Sequence, residues 1–323
     1  MTFQNFINTN KFKYLKSSLL TVVLSSFLSW IVIYRVEVYG MAIFFLIPFL
    51  IGFCTPVFYG KSEERKVKDA IKHGIITLLF FCFALMFFAF EGLICILMAV
   101  LPAIPFVILG AYVGFSVVEK RQNNSAISLL IVCSAIPSLG FIEKQTEPTL
   151  YKVETSIEIH SSPENVWKQV IEFPQLEYPQ EFIFKAGISY PINAKIIGSG
   201  VGAIRYCNFN TGSFVEPITR WEEPNLLAFD VKEQPLPMQE ISFWDIDAPH
   251  LHDYFVSKRG QFQLTKLPNG NTNLTGTTWY YNKIMPSFYW RPWSDYIVHQ
   301  IHERVLQHIR KNSEERASEL SLK

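Results

Sequence analysis

The residues of this 323-residue sequence best suited to chemistry are histidines set among acids. In Asp245-Ile246-Asp247-Ala248-Pro249-His250-Leu251-His252-Asp253, two imidazoles stand two apart between carboxylates. Nitrogen and oxygen donors of this kind suit a zinc-type ion. No third and fourth ligand follows at a metal-site spacing, so His250 and His252 stay weak metal candidates beside the plainer reading of a polar loop. No cofactor is expected. His299 and His302 also look like partners, three apart. A helical wheel turns His299 away from the apolar arc of its segment, with Glu303 four residues on, which reads as a solvated face. Arg205, Glu216, Arg220, Asp230 and Arg259 lie in strand-like stretches. Solvated outer positions are the default for such charges, and any that point inward need a partner. Arg205 or Arg259 facing inward could meet an anionic ligand head.

Other signatures are missing. There is no GxSxG, Walker loop or Rossmann fingerprint. Gly198-Ser199-Gly200-Val201-Gly202 joins two strands rather than a strand and a helix, so it reads as a turn. Net charge is +1, which gives no electrostatic case for nucleic acid. Four of the five cysteines, Cys54, Cys82, Cys95 and Cys133, fall in apolar runs, and Cys207 stands alone, so no disulfide framework is expected.

The elements that must position these residues divide sharply. Residues 1–145 carry five apolar runs: 18–34, 41–59, 74–90, 92–118 and 126–142. Each reaches or approaches the roughly 17–25 residues that cross a bilayer. They are apolar all round, without the stripe of a soluble surface helix. The expectation is an all-α transmembrane bundle of about five helices. The third and fourth runs could turn at Glu91-Gly92 or at Leu101–Pro105. The first choice keeps Glu91 near the interface and leaves Pro102 and Pro105 to kink or break the fourth span. Gly110 and Gly114 form a small-xxx-small match of low specificity. Few polar residues lie within the runs, only His73 and Glu91 at their edges, so an anchor is expected over a transporter. Lys11, Lys13, Lys16, Lys61, Arg65, Lys66, Lys68, Lys72, Lys120 and Arg121 fall on one set of flanks, against Arg35 and Lys144 on the other. This bias places the N-terminus in the cytoplasm of a multi-pass cell-membrane protein and, over five spans, the C-terminal domain outside. If Ala126–Ile142 only lies on the surface, that domain is cytoplasmic.

After a polar linker at 143–149 the pattern changes. Val153, Thr155, Ile157 and Ile159 alternate with polar residues, which predicts a half-buried strand. Ser162-Pro163-Glu164 opens a helix with Val166, Trp167 and Val170, and a second short helix is expected before Pro179. Strands are read at 187–197, 202–209, 213–221, 226–231, 253–267 and 273–282. Pro268-Asn269-Gly270 turns between the last two. A helix of about 286–320 closes the chain. Residues 232–252 make a long loop, carrying Phe243 and Trp244 as a lid or a membrane-contacting segment.

Ile157-Glu158-Ile159-His160-Ser161-Ser162-Pro163-Glu164-Asn165-Val166-Trp167, and Trp279-Tyr280-Tyr281 running into the 289–309 helix, resemble the START-like superfamily, also called SRPBCC or polyketide cyclase/dehydrase-like. The resemblance covers roughly 150–312. It implies an α+β helix-grip domain over 150–323, with an antiparallel sheet wrapping the last helix around a hydrophobic cavity. Family members bind lipids, sterols, hormones or polyketides, and some are enzymes. Trp290, Trp293, Ile297, Ile301 and Val305 share one arc of the last helix, and Arg304 and His308 lie inside or beside it. With Trp279, Tyr281 and Phe262 they are the candidate lining, or else a packed core. The leading expectation is a membrane-anchored module binding a hydrophobic or amphipathic, lipid-like molecule. The alternatives are a cyclase-type enzyme using His308, Tyr281, Arg304 or the His250/His252 loop, and an envelope interaction module.

Overall fold

The computed structural model describes residues 10–62, 65–120, 125–242 and 244–321. Phe243 and Arg121 lie outside them. The chain forms two compact units. The first is Met1–Glu147 with Glu240–Pro249 and Ile284–Pro286, and the second is Pro148–Gln239 with His250–Lys283 and Ser287–Lys323.

The first unit is helical. α1 (Asn10–Ile31) runs on through a π-helical turn, Val32–Val36. A second π-helical turn, Ala42–Leu46, leads into α2 (Ile47–Tyr59). α3 (Val67–Phe87), α4 (Leu93–Glu119) and α5 (Ser125–Lys144) follow. Among the described residues, five helices of 18–27 residues are long and apolar enough to cross a membrane. A helix satisfies its own backbone, which suits apolar sequences to that role. The turn between α3 and α4 falls at Glu91-Gly92, where the Tyr39 hydroxyl donates to the Glu91 carboxylate at 2.9 Å. α4 continues as one helix past Pro102 and Pro105.

The glycines of the small-xxx-small match work inside the chain. A Cβ on Gly110 would lie 2.0 Å from the Phe49 carbonyl oxygen, and one on Gly114 2.4 Å from that of Phe53. Reciprocally, a Cβ on Gly52 would lie 2.1 Å from the Val107 oxygen. α2 and α4 therefore meet backbone to backbone. One cluster of polar groups in this unit pairs internally. His73 Nε2 meets the Ser18 hydroxyl at 2.9 Å, and its Nδ1 meets the Arg65 guanidinium at 2.9 Å. The segment Glu240–Pro249 packs within the same unit. Leu93 N donates to the Ile241 oxygen at 3.1 Å, and Trp244 Nε1 to the Phe87 oxygen at 3.1 Å.

The second unit is a curled seven-stranded antiparallel sheet with a long C-terminal helix, consistent with the helix-grip layout. Its strands are β1 (Tyr151–Ile159), β2 (Pro191–Ile197), β3 (Ile204–Phe209), β4 (Gly212–Glu222), β5 (Leu226–Asp230), β6 (Phe255–Lys266) and β7 (Thr272–Asn282). Spatial order is β1-β7-β6-β5-β4-β3-β2. Gly270, at φ +85°, closes the β6–β7 turn, a conformation that favours glycine. α6 (Pro163–Ile171) starts at Ser162, whose hydroxyl makes no cap hydrogen bond. α7 (Phe182–Lys185) falls after Pro179, not before it. The stretch ahead of it is claimed by the sheet: Phe173 N donates to the Ala194 oxygen at 3.1 Å and Leu176 N to the Ile192 oxygen at 2.7 Å. α8 (Ser287–Ser321) packs Val305, Leu306 and Ile309 into one core with Val166, Trp167 and Val170 of α6. Trp167 meets Trp221 edge to face, with ring centroids 5.6 Å apart.

Candidate functional site

Between the sheet and α8 lies a cavity of about 100 Å³. Phe209, Phe214, Phe229 and Phe262 line its sheet side, and Val298, Ile301, Val305 and Leu306 its helix side. Among the polar residues of its lining, which also include Ser257, Arg259, Gln261 and Thr277, two paired sets stand out. The first is Arg205 with Glu216, partners across β3 and β4. They are 2% and 5% exposed, and the Arg205 guanidinium donates to the Glu216 carboxylate. Arg205 also donates to the Ile171 oxygen at 3.2 Å and lies 5.5–5.6 Å from the ring centroids of Phe173, Phe229 and Phe262. Burial pushes the Glu216 carboxyl above its usual range, against the pull of Arg205. Beside them, burial holds the Cys207 thiol up at about 12, which favours its protonated form.

The second polar set is His302 with Thr278. Thr278 Oγ1 lies 2.7 Å from His302 Nε2, and both residues line the cavity. The other ring nitrogen of His302 lies 3.1 Å from Thr155 Oγ1. Burial, with His299 nearby, holds the His302 imidazole down at about 4. His302 is therefore neutral near pH 7 and can donate from one nitrogen while accepting at the other.

Of the residues expected to line the cavity, Ile301 and Phe262 do so. Trp290 is buried and Trp293 and Ile297 are half-buried, but none of the three reaches it. The lining face of α8 is turned toward Val298, His302 and Leu306, because Leu306 packs over Gly276 on the sheet. Arg304 and His308 line a separate surface cleft with Glu177, Glu181 and Lys311. Trp279 and Tyr281 alternate with Thr278 and Tyr280 along β7 and take the opposite face. There the Arg259 guanidinium covers Trp279 at 4.5 Å, while Lys258 and Lys283 flank Tyr281. Trp244 is exposed in the first unit and does not line the cavity. His250 is buried in the turn Pro249–Leu251 and His252 is exposed, so the HxH pair does not share one environment. Within the first unit, Glu91, Cys95 and Glu240 bring two carboxylates and a thiol within 4.8 Å of one another, donor types a metal ion could use. The Cys95 thiol donates to the Glu240 carboxylate at 2.8 Å.

The sequence reading missed Thr155, Thr278, His302 and the mutual pairing of Arg205 with Glu216. His302 had a signal: it stands four residues from both Val298 and Leu306, on their face of the helix.

No family model matches the chain, and no curated protein matches it. Solved structures of Bet v1-like, SRPBCC-type proteins match its C-terminal half. A protein from Nitrosospira multiformis is 17% identical, covering 50% of this chain and 94% of its own, at a TM-score of 0.32. Norcoclaurine synthase from Thalictrum flavum, a point mutant in complex with a transition state analogue, is 11% identical over 54% of this chain and 99% of its own, at 0.34. The Aha1 dimer from Colwellia psychrerythraea is 14% identical over 51% and 96%, at 0.29. These likenesses concern fold and say nothing of chemistry.

Proposed function

We propose that this protein is a membrane-anchored helix-grip domain that binds a small, partly polar molecule between its sheet and its last helix. The observation that carries the reading is the cavity wall, in which phenylalanines and aliphatic side chains adjoin neutral His302 and the Thr278 hydroxyl. An apolar pocket with a few placed polar groups is the usual form of a small-molecule site. The volume narrows the ligand. A dry cavity of about 150 Å³ holds a benzene ring, so about 100 Å³ suits a short branched chain as it stands, and a benzene-sized ring once a wall side chain shifts. A whole lipid chain enters only if Phe262, Phe214 or Ile301 changes rotamer. Arg205 is already committed to Glu216, so the ligand's polar end meets His302 and Thr278 rather than a free guanidinium.

Gly276 provides the test. The atoms nearest a Cβ there belong to Leu306 and Phe262, at 3.7–3.8 Å, which is ordinary contact. Gly276→Ala therefore narrows the cavity without strain. Mass spectrometry of extracts from the intact protein, purified in mild detergent, is expected to find a small molecule with the wild type. The alanine variant is expected to yield less of it while keeping its Tm. Equal recovery from both proteins, or none from the wild type, removes the reading.

The five apolar helices support the anchor, and the basic flanks support a cytoplasmic N-terminus with the second unit across the membrane. A reporter fused after Lys323 and active in the cytoplasm would overturn that orientation. A neutral histidine in the cavity also favours a second reading, acid–base catalysis on the bound molecule.

A further inference from the structure

The second unit holds a row of exchangeable groups that runs from solvent into the cavity. At the outer end, Glu303 Oε1 lies 3.4 Å from His299 Nε2, and these side chains are 49% and 43% exposed. The other nitrogen of His299, Nδ1, lies 2.8 Å from Thr155 Oγ1. The same hydroxyl lies 3.1 Å from His302 Nδ1, and His302 Nε2 lies 2.7 Å from Thr278 Oγ1 on the cavity wall. Each inner member can take a proton on one side and release one on the other.

We propose that Glu303, His299, Thr155, His302 and Thr278 form a proton relay serving the cavity, and that the bound molecule is one that gains or loses a proton, of the phenol or enol class.

The step balances without redox change. With His299 protonated and paired to Glu303, its Nδ1–H passes to Thr155 Oγ1 as the Thr155 hydroxyl proton moves to His302 Nδ1. His302 Nε2–H passes to Thr278 Oγ1, and the Thr278 proton moves to the ligand oxygen. One proton leaves His299 and one reaches the ligand, and His299 is reprotonated from water. Each inner group keeps its proton count, so no buried charge persists, which matters in a low-dielectric site. The neutrality of His302 supports this role, since an imidazolium has no acceptor to offer.

Other charged groups nearby are committed elsewhere. Arg205 and Glu216 close on each other in the cavity wall, and Arg259, also in the lining, carries its guanidinium over the Trp279 ring. Asp295 on α8 accepts from Tyr280 and pairs with Arg291, and Glu154 on β1 pairs with Lys152. Thr155, buried on β1, bridges the two histidines through its hydroxyl.

The proposal rests on the cavity reading for its ligand but can be tested without one. Water exchange of the His302 ring N–H is measured by ¹⁵N-histidine NMR on the intact protein in micelles at pH 7. Thr155→Val keeps the side-chain shape and breaks the row, and His299→Gln breaks it at a half-exposed position. Both variants are expected to slow exchange at least tenfold. An unchanged rate in the His299→Gln protein, with its fold intact by circular dichroism, overturns the relay. Phenol is then titrated in. Failure of phenol to perturb the His302 ring signals, with the exchange effect present, counts against the ligand class and not against the relay.

Discussion

Replacing Arg205 with methionine is expected to lower the unfolding free energy by about 3–5 kcal/mol, the usual cost of removing one partner of a buried ion pair. The guanidinium is 2% exposed and faces three phenylalanine rings, and Glu216 is 5% exposed beside it. Methionine fills much of the arginine volume, so a cavity is not the main loss. The loss comes from Glu216, left without its cation in an apolar wall. Burial already pushes that carboxyl up, and without Arg205 it takes a proton before it will stay buried. The double variant, Arg205→Met with Glu216→Met, is expected to recover most of the deficit, because neither desolvated charge remains. Urea unfolding of the intact protein in micelles, followed by tryptophan fluorescence, measures both. A single variant as stable as the wild type would show that Glu216 finds another partner or water.

The second large effect is a loss of stability in mild acid through His302. Its folded-state pKa, about 4, lies below the ordinary histidine value of 6.5. The unfolded chain therefore binds more protons between these values, and stability falls as pH drops from about 6.5 toward 4. Above 6.5 the group contributes no slope, and below 4 the loss is complete. At 1.36 kcal/mol per unit, the full loss is roughly 3 kcal/mol. His308, also lowered by burial, adds to the same trend. Glu216, raised by burial, opposes it at the acid end. His302→Asn isolates the histidine term: unfolding from pH 7.5 to 4 should show a shallower slope in the variant. Parallel slopes would mean that His302 titrates normally.

Much of the second unit was readable because its signals are local. The alternation at 153–159 marks β1, the Pro-Asn-Gly turn marks β6–β7, and the strand limits fall within a few residues of those expected. The misplaced short helix shows the limit of local reading. Nothing between Phe173 and Pro179 announces that its backbone is bonded to β2, which is a long-range choice. The Arg205–Glu216 pair was nearly readable. A two-residue turn at Asn210-Thr211 pairs Phe209 with Gly212 and so sets Arg205 opposite Glu216. Beginning the second strand at Ser213 instead shifts the register by one and hides the pair.

The amino-acid sequence alone determined the division into an apolar helical half and an α+β half, the strand order in the chain, and the length of the last helix. Those follow from the period and length of apolar patterns, which each segment carries within itself. Only the tertiary structure decided which side of each element faces the cavity. Trp279 and Tyr281 turned outward because Gly276, Thr278 and Tyr280 take the inner positions of β7. His302 turned inward because α8 settles where Leu306 meets Gly276 and where two threonine hydroxyls meet its imidazole. A helix with apolar residues over a broad arc can rotate through several acceptable faces. The fit of side chains from β1, β6 and β7 against it selects one, and no single segment contains that information.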